Sequence, residues 1–221
     1  MALHTAFDGI CFDMDGVLIR SEEHWVEQQR EQILPTTAPD DDIPLAAITG
    51  RNFREVYPDL VAEYEVAVSR DEFEAMFETT GERIYREQAQ LFDGVPELLA
   101  ELRNRGVPLA LVTSSPRDWI GLLDERFGLT GHFDAVVSAE DLDGPGKPAP
   151  AIYERGAAEL GLTPDACLAV EDSTAGVQAA TAAGLWTVGF RGDGAETDLS
   201  AADEIVVGVP ELRSVLLGEE R

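Results

Sequence analysis

The sequence of 221 residues predicts an α/β fold in which helices cover both faces of a mostly parallel sheet. Short apolar runs with the character of strands recur along the chain, and segments with apolar residues three to four apart lie between them. Strands that alternate with helices of this length are typical of a parallel sheet. One long region of helical patterns interrupts the alternation after the first strand, and it predicts an inserted second domain.

Six apolar runs have the length and composition of strands, and four segments between them have helical spacing. The predicted strands cover residues 7–12, 108–112, 133–137, 167–170, 185–189 and, with a weaker pattern, 204–207. The predicted helices of the core cover residues 95–105, 117–127, 149–160 and 174–183. This order predicts a Rossmann-like core, in which ligands bind beyond the carboxyl ends of the strands.

The region after the first strand contains no convincing strand from residue 21 to residue 91. Its helical patterns cover residues 22–34, 52–64 and 71–90, with a proline-rich acidic stretch over 35–44. We therefore expect a helical cap domain over residues 21–92, joined by hinges near Arg20 and residues 92–94. Residues 1–20 and 93–221 would then form the core.

The composition is strongly acidic, since 43 carboxylates against 16 basic residues give a formal net charge of -27. Such a field disfavours nucleic acids and anionic membranes as partners, because both are polyanions. The carboxylates are spread along the chain, and lysine is almost absent. This composition is typical of proteins from salt-loaded cytoplasms, so we expect a halophilic protein.

Cysteine usage and hydropathy predict a reduced, cytoplasmic protein. Cys11 and Cys167 lie in apolar stretches and are expected to be small buried side chains instead of a disulfide or a metal site. The N-terminus lacks the basic and apolar regions of a signal peptide. No stretch approaches the roughly 18 apolar residues of a membrane span, so we expect no membrane partner.

Polar and charged residues follow four of the predicted strands at the edge where ligands bind. These residues are Asp13, Asp15, Thr113, Ser114, Ser115, Lys147, Glu171 and Asp172. Two carboxylates as close as Asp13 and Asp15 repel, so a cation between them or a proton on one of them is required. Gly16 permits the chain to turn sharply behind them. Carboxylates with water in the remaining positions suit Mg²⁺, which is therefore the expected cofactor.

Lys147 is the only lysine of the chain, and it lies in the segment Gly-Lys-Pro-Ala-Pro. Arginine is a planar fork, whereas lysine is a compact point charge on a flexible stem. A compact ammonium suits a crowded site where several anionic oxygens meet. The retention of one lysine in this composition indicates a task that arginine does not perform.

These segments resemble the four motifs of the haloacid dehalogenase-like superfamily, in the same order and over essentially the whole chain. The motifs are Asp-Met-Asp-Gly-Val-Leu at 13–18, Thr113 after a hydrophobic strand, Lys147 in its proline-rich segment, and Glu-Asp-Ser at 171–173. The inserted helices resemble the cap of the subgroup that includes phosphoglycolate phosphatases, other sugar-phosphate phosphatases and β-phosphoglucomutase. The resemblance implies phosphoryl transfer through an aspartyl-phosphate.

The resemblance also implies a role for each residue of the reaction. Asp13 would be the nucleophile, and Asp15 would be the general acid and then the base that activates water. Thr113 would hold the transferring phosphoryl group together with the backbone amides near Ser114 and Ser115. Lys147 would neutralise charge on the nucleophile and on the phosphoryl oxygens.

The same resemblance implies that Asp172, Asp13 and the carbonyl of Asp15 bind Mg²⁺. Glu171 would be either a ligand or a partner of the ligands. In the cap, Arg51 and Asn52 are candidates for selecting the substrate, as is Arg54. The expected substrate is a small phosphorylated metabolite, such as a sugar phosphate or phosphoglycolate, and the expected state is a monomer or weak homodimer.

A β-phosphoglucomutase-like mutase is the main alternative to hydrolysis. Mutases of this subgroup carry an aspartate and then a histidine after the first motif, but here Arg20 replaces the aspartate and Trp25 replaces the histidine, with His24 one position early. Mutases also tend to hold a lysine before Gly50, which this chain lacks. Asp15 argues against a dehalogenase, because a halide leaving group needs no proton. A non-catalytic phospho-acceptor or binding module is a further alternative.

The acidic composition generates a prediction about salt. Raising KCl from about 0.01 M to about 1 M shortens the Debye length from roughly 30 Å to roughly 3 Å. Because this screens most of the repulsion among surface carboxylates, we expect the melting temperature and the activity to rise. Thermal unfolding in stepped KCl at constant Mg²⁺ measures the effect. A melting temperature that stays flat or falls would reject salt adaptation.

Overall fold

The protein is built on a six-stranded parallel sheet, described here from a computed structural model that covers residues 6–48, 51–192 and 197–218. The strands are β1 (Gly9–Phe12), β2 (Ile19–Arg20), β3 (Gln90–Leu91), β4 (Leu109–Thr113), β5 (Ala135–Ser138), β6 (Cys167–Glu171), β7 (Trp186–Arg191) and β8 (Glu204–Val207). The order across the large sheet is β5-β4-β1-β6-β7-β8. All six predicted core strands are present, which confirms the predicted α/β class.

Nine α-helices surround the sheet and fill the insertion in the part of the chain that the structure describes. They are α1 (Glu22–Gln28), α2 (Leu34–Thr37), α3 (Phe53–Glu63), α4 (Arg70–Arg83), α5 (Val95–Asn104), α6 (Arg117–Phe127), α7 (Ala151–Glu159), α8 (Thr174–Ala183) and α9 (Gly208–Leu217). Two π-helical segments, Gln29–Ile33 and Ile84–Gln88, continue α1 and α4. The four predicted core helices agree with α5 to α8 within two residues. Helix α9 was not among the predicted helices, although its buried residues have helical spacing.

Helices cover both faces of the sheet because successive residues of each buried strand point to opposite sides. In β1, Ile10 and Phe12 pack in the larger apolar cluster, which includes buried residues of α5 and α9. Cys11 faces the other side and packs in a second cluster with residues of α7 and α8. Parallel strands covered on both faces are buried along their length, and β1, β4 and β6 are apolar up to the Thr113 and Glu171 that end β4 and β6.

The inserted helices α1 to α4 lie between β2 and β3, which pair as a two-stranded antiparallel ribbon. The expectation of no strand between residues 21 and 91 is therefore wrong for Gln90–Leu91. Strands of two residues carry no periodic pattern, so the sequence could not reveal them. The amide of Phe92 donates to the carbonyl of Leu18 at 3.0 Å, which extends the contact between the two segments that connect the sheet domain to the insertion. The predicted hinges, near Arg20 and residues 92–94, lie at this ribbon.

Three contacts join the inserted helices to the sheet domain above the ligand edge. A Cβ atom at Gly81 of α4 would lie 2.2 Å from the Trp119 ring of α6, so the absence of a side chain allows the ring to pack against the helix. Arg54 of α3 forms an ion pair of 2.8 Å with Glu140. The carboxylate of Glu55 accepts from the amide of Gly146 at 3.0 Å. The insertion thus covers the carboxyl edge of the sheet.

None of the described helices combines the length and the apolar character that crossing a bilayer requires.

Candidate active site

The carboxyl ends of three neighbouring strands bring the predicted site residues together. Asp13 follows β1, Thr113 ends β4 and Glu171 ends β6, and β1 lies between β4 and β6 in the sheet. Lys147 reaches the same edge from the loop after β5. A cavity of about 90 Å³ opens between this edge and the inserted helices. On the sheet side, its lining residues are Asp13, Asp15, Thr113, Ser114, Ser115, Lys147, Asp172 and Ser173.

Lys147 is 3% exposed and bridges two buried carboxylates. Its Nζ donates to Asp13 Oδ1 at 2.5 Å and to Glu171 Oε1 at 2.6 Å, and it lies 5.3 Å from the centre of the Tyr153 ring. Burial lowers the pKa of Lys147, but the charges of Asp13 and Glu171 outweigh burial and raise the pKa above its ordinary value. The ammonium therefore stays charged. Its compact shape lets it contact Asp13, Glu171 and the Tyr153 ring at the same time.

Glu171 has no exposed surface, and hydrogen bonds from the protein fill both of its oxygens. Oε1 accepts from Lys147 and from the Tyr153 hydroxyl at 2.7 Å. Oε2 accepts from the amides of Asp172 and Ser173 at 3.1 Å and from the Ser173 hydroxyl at 3.0 Å. A carboxylate offers about four acceptor positions, so these five donors use its capacity. The arrangement suits a group that holds Lys147 and the end of β6 in place.

Three carboxylates form a group with metal-ligand spacing, namely Asp13, Glu171 and Asp172, each with one oxygen within 4.8 Å of the others. Burial raises the pKa of Asp13 well above its ordinary value, and Glu171 raises it further while Lys147 lowers it. Burial also raises the pKa of Asp172, with contributions from Glu22 and Glu171. Carboxylates held this close need a cation to stay ionised together. Their hard oxygen atoms fit Mg²⁺.

Gly16 allows the approach of Asp172 to the end of β1. Its φ is +75°, in the left-handed region that favours glycine, and a Cβ atom there would lie 1.8 Å from Asp172 Oδ2. The sharp turn expected from the sequence is therefore present. Its second purpose, room for a carboxylate from another strand, was not foreseen.

The carboxylate of Asp15 lies outside the group of three and is held by hydroxyls. Oδ1 accepts from Ser21 at 2.5 Å and from Tyr85 at 2.7 Å, and Oδ2 accepts from Ser115 at 2.7 Å. The carboxylates of Asp13 and Asp15 therefore have different hydrogen-bond partners, although a single residue separates them in the chain. Asp15 would bind a metal through its main-chain carbonyl, as the family resemblance implies.

The hydroxyl residues at the end of β4, Thr113 to Ser115, form hydrogen bonds with the backbone and with Asp15. Thr113 is buried, and its Oγ1 accepts from the amide of Ser115 at 3.0 Å. The side chain of Ser115 bonds Asp15, and its carbonyl accepts from Ser138 at 2.8 Å. Ser114 lines the cavity. Of the two serines expected to bind phosphate, Ser115 is thus also a partner of Asp15.

The two candidate cap residues have different places. Arg51 lines the cavity, and its guanidinium pairs with Asp59 at 2.6 Å. Asn52 caps helix α3, since its side chain accepts from the amide of Arg54 at 3.0 Å. Residues 49 and 50, where the lysine of mutases was sought, lie outside the described residues.

Several side chains of the site were not identified from the sequence. Ser21 and Tyr85 bond Asp15, and Tyr153 bonds Glu171. Glu22 lines the cavity, and burial together with the charges of Asp15 and Glu171 raises the pKa of Glu22 to about 7. Tyr85 is 70 residues from Asp15 in the chain, so no spacing links the two.

The parallel sheet, the inserted helices and the acidic group beside a buried lysine define a capped α/β enzyme. A model of the haloacid dehalogenase-like hydrolases matches residues 7–184, and the chain belongs to this family. This confirms the resemblance that the motifs indicated.

Two phosphatases are similar to this chain in sequence, and a mutase shares its fold. Validoxylamine A 7'-phosphate phosphatase from Streptomyces hygroscopicus subsp. limoneus is 33% identical over 206 residues, 91% of this chain and 94% of that protein. Phosphorylated carbohydrates phosphatase from Thermotoga maritima is 31% identical over 179 residues, 80% of this chain and 82% of that protein. These relatives bear out the predicted class, phosphoric monoester hydrolase. The crystal structure of β-phosphoglucomutase from Clostridium difficile shares the fold, with a TM-score of 0.73, 21% identity and coverage of 93% of each chain.

The burial of Lys147 generates a prediction about stability. Lys147→Ala removes the cation between two buried carboxylates, and breaking a buried ion pair in this way costs about 3–5 kcal/mol. Lys147→Arg should be nearly as damaging to stability and turnover, because a planar guanidinium does not fit where an ammonium contacts Asp13, Glu171 and the Tyr153 ring. Chemical denaturation in Mg²⁺-free buffer, with phosphatase assays alongside, measures both effects.

The matched control is Arg155→Ala, which removes an exposed ion pair with Glu159 on α7. Such pairs contribute about 0–1 kcal/mol, so this variant should unfold almost as the parent does. A Lys147→Arg protein with unchanged stability and turnover would contradict the role given to the only lysine.

Proposed function

We propose that this chain is a Mg²⁺-dependent phosphatase that hydrolyses a small phosphorylated metabolite through an aspartyl-phosphate on Asp13. The observation that carries the proposal is the ammonium of Lys147 held 2.5 Å from Asp13 Oδ1, at the sheet edge where Asp15 and Asp172 also lie. The names of the relatives support phosphorylated carbohydrates or related compounds as the substrate class.

The first half-reaction would use Asp13 as the nucleophile and Asp15 as the acid. Lys147 contacts Oδ1 of Asp13, so we assign the attack on phosphorus to Oδ2. As the new O–P bond forms, the bond from phosphorus to the leaving oxygen breaks, and Asp15 supplies the proton that the alkoxide needs. Lys147 and the amides near Ser114 stabilise the negative charge on the phosphoryl oxygens.

The second half-reaction would return the enzyme to its starting state. Asp15, now ionised, accepts a proton from water as the water oxygen attacks phosphorus. The bond between Asp13 and phosphorus breaks, which releases inorganic phosphate and restores both carboxyl groups. The hydroxyls of Ser21 and Ser115 hold Asp15 in one orientation through both steps.

The residues present fit a divalent cation. Asp13 and Asp172 would hold Mg²⁺ together with the carbonyl of Asp15, while Glu171 is occupied by its protein donors. When bound, Mg²⁺ supplies positive charge that neutralises the phosphoryl oxygens.

Hydrolysis is favoured over the mutase reaction by the first-motif region. Trp25 stands where the mutase subgroup has a histidine, and its ring nitrogen donates to the hydroxyl of Tyr85 at 3.1 Å. An indole has no titratable group, so it does not take over the control of Asp15 that the histidine provides. The mutase reaction therefore remains the second candidate.

Asp13→Asn tests the mechanism, because it keeps the shape of the side chain but removes the anionic nucleophile. Turnover of a phosphomonoester should fall by about 10⁴- to 10⁶-fold, the range of losses when a covalent nucleophile is removed. Removal of divalent cations with EDTA should abolish activity, and added Mg²⁺ should restore it. Phosphate release is the assay, and rapid quench with mass detection identifies phosphorylated Asp13.

Asp165→Asn, at an exposed position away from the cavity, is the matched control and should keep full activity. Substantial turnover by Asp13→Asn, or full activity in EDTA, would overturn the proposed mechanism.

A further inference from the structure

The cavity wall opposite Asp13 is aromatic. The rings that line it are Trp25, Phe53, Phe77, Tyr85 and Trp119. These five rings come from four separate segments of the chain and meet at one place. Each is at most 7% exposed, so the wall is set by packing and not by mobile surface side chains.

The rings support one another in a continuous stack. Phe53 lies parallel to Phe77 with centroids 5.1 Å apart, and Trp119 stacks on Phe53 at 5.6 Å and on Tyr85 at 5.1 Å. Trp25 lies 5.3 Å from Trp119. Rings held at these distances in offset and stacked arrangements form a rigid apolar surface.

The charges around the cavity leave no place for a second anion on the substrate. Four carboxylates line it, from Asp13, Asp15, Glu22 and Asp172. Among the described residues, the lining cations are Lys147 and Arg51. Lys147 is bonded to Asp13 and Glu171, and the Arg51 guanidinium is paired with Asp59 at 2.6 Å.

We propose that the substrate carries an uncharged alcohol portion with a ring whose apolar face packs against this wall. The proposal rests on the proposed phosphatase function and decides between two of its substrate classes. A sugar or cyclitol phosphate fits, because the C–H face of its ring meets the aromatic surface. A carboxylated substrate such as phosphoglycolate does not fit, because its second anion would be buried beside carboxylates without a free cation.

Pairs of phosphomonoesters that differ by one carboxylate test the proposal. Glucose 1-phosphate is compared with glucuronic acid 1-phosphate, which keeps the same ring, and phenyl phosphate with 4-carboxyphenyl phosphate. An unpaired buried charge costs more than a lost hydrogen bond, so kcat/KM should be about 10²-fold lower for the carboxylated member of each pair. Equal or higher kcat/KM for the carboxylated members would overturn the proposal. The absence of turnover with all four compounds would instead reject the phosphatase function, and this proposal with it.

Phe77→Leu tests the aromatic wall, since it keeps apolar volume but removes a ring face. Aromatic contacts contribute about 0.5–1.5 kcal/mol, so kcat/KM for the ring phosphates should fall about 2- to 10-fold. Glycerol 3-phosphate, which is neutral in its alcohol portion but acyclic, should be unaffected. The control is Phe73→Leu, whose ring contacts Phe77 at 4.9 Å but is not part of the cavity lining. Equal losses with ring and acyclic substrates, or no loss, would contradict the wall's role.

A second inference rests on a different observation, the hydrogen bond from Tyr85 to Asp15. Tyr85 is 1% exposed and belongs to the π-helical segment that continues α4. Its hydroxyl donates to Asp15 Oδ1 at 2.7 Å and accepts from the ring nitrogen of Trp25 at 3.1 Å. Its carbonyl accepts from Arg126 of α6 at 2.5 Å. The inserted domain therefore contacts the carboxylate to which proton transfer is assigned.

We infer that Tyr85 is a positioning residue, which orients Asp15 toward the leaving oxygen from the inserted domain. This inference also rests on the proposed function. A misplacement of reacting groups by about 1 Å costs up to about 10²-fold in rate. In the first half-reaction, the loss should appear only where the leaving oxygen needs a proton, because a good leaving group departs without one.

Tyr85→Phe is therefore assayed with a sugar phosphate and with 4-nitrophenyl phosphate. We expect the single-turnover rate of alcohol release from the sugar phosphate to fall about 10- to 100-fold, and the rate of the 4-nitrophenol burst from the aryl phosphate to fall much less. The control is Tyr57→Phe, which removes a hydroxyl that donates to the carbonyl of Val68. An equal loss in both release rates would indicate a merely structural role and overturn the inference, as would unchanged release rates. If no substrate is turned over by the parent enzyme, the phosphatase function itself fails.

Discussion

The buried ion pairs of Lys147 are the interaction on which the site depends. Asp13 follows β1 and Glu171 ends the neighbouring strand β6, so the two buried carboxylates would repel each other without a cation between them. Lys147, from the loop after β5, bonds both carboxylates. The five hydrogen bonds to Glu171 fix the position of the Glu171 carboxylate. Burial raises the pKa of Asp13 well above its ordinary value, and the charge of Lys147 opposes this shift and so favours the ionised form that a nucleophile requires.

The core of the fold was accessible from the sequence because its information is local. Strands buried on both faces are short continuous apolar runs, and the helices between them repeat at three to four residues, so β1 and β4 to β8 were found with the helices α5 to α8. Helix α9 was missed although Val209, Leu212 and Leu216 carried the pattern. The ribbon of β2 and β3 was inaccessible, since two-residue strands are defined by their partner and not by their own composition.

The residues of the site also differ in how far the sequence reveals them. Residues at strand ends were brought to one edge by topology, so Asp13, Thr113, Lys147 and Asp172 followed from the order of elements. The partners of Asp15 did not follow. The hydrogen bond from Tyr85 depends on how an inserted helix packs and on its π-helical turn, which shifts the side chains after it relative to a regular α-helix. No periodicity encodes a contact of this kind.

The net charge of -27 and the groups proposed to bind the phosphoryl group act on an anionic substrate at different ranges. The diffuse field repels a phosphate dianion at long range, but it decays over about 8 Å at physiological ionic strength and faster in concentrated salt. Inside the cavity, screening is weak, so in the proposed reaction the phosphoryl group would be bound by short-range contacts with Lys147, a divalent cation and the backbone amides. A neutral alcohol portion against an aromatic wall adds affinity without adding charge, which is the combination that a strongly acidic enzyme can bind most readily.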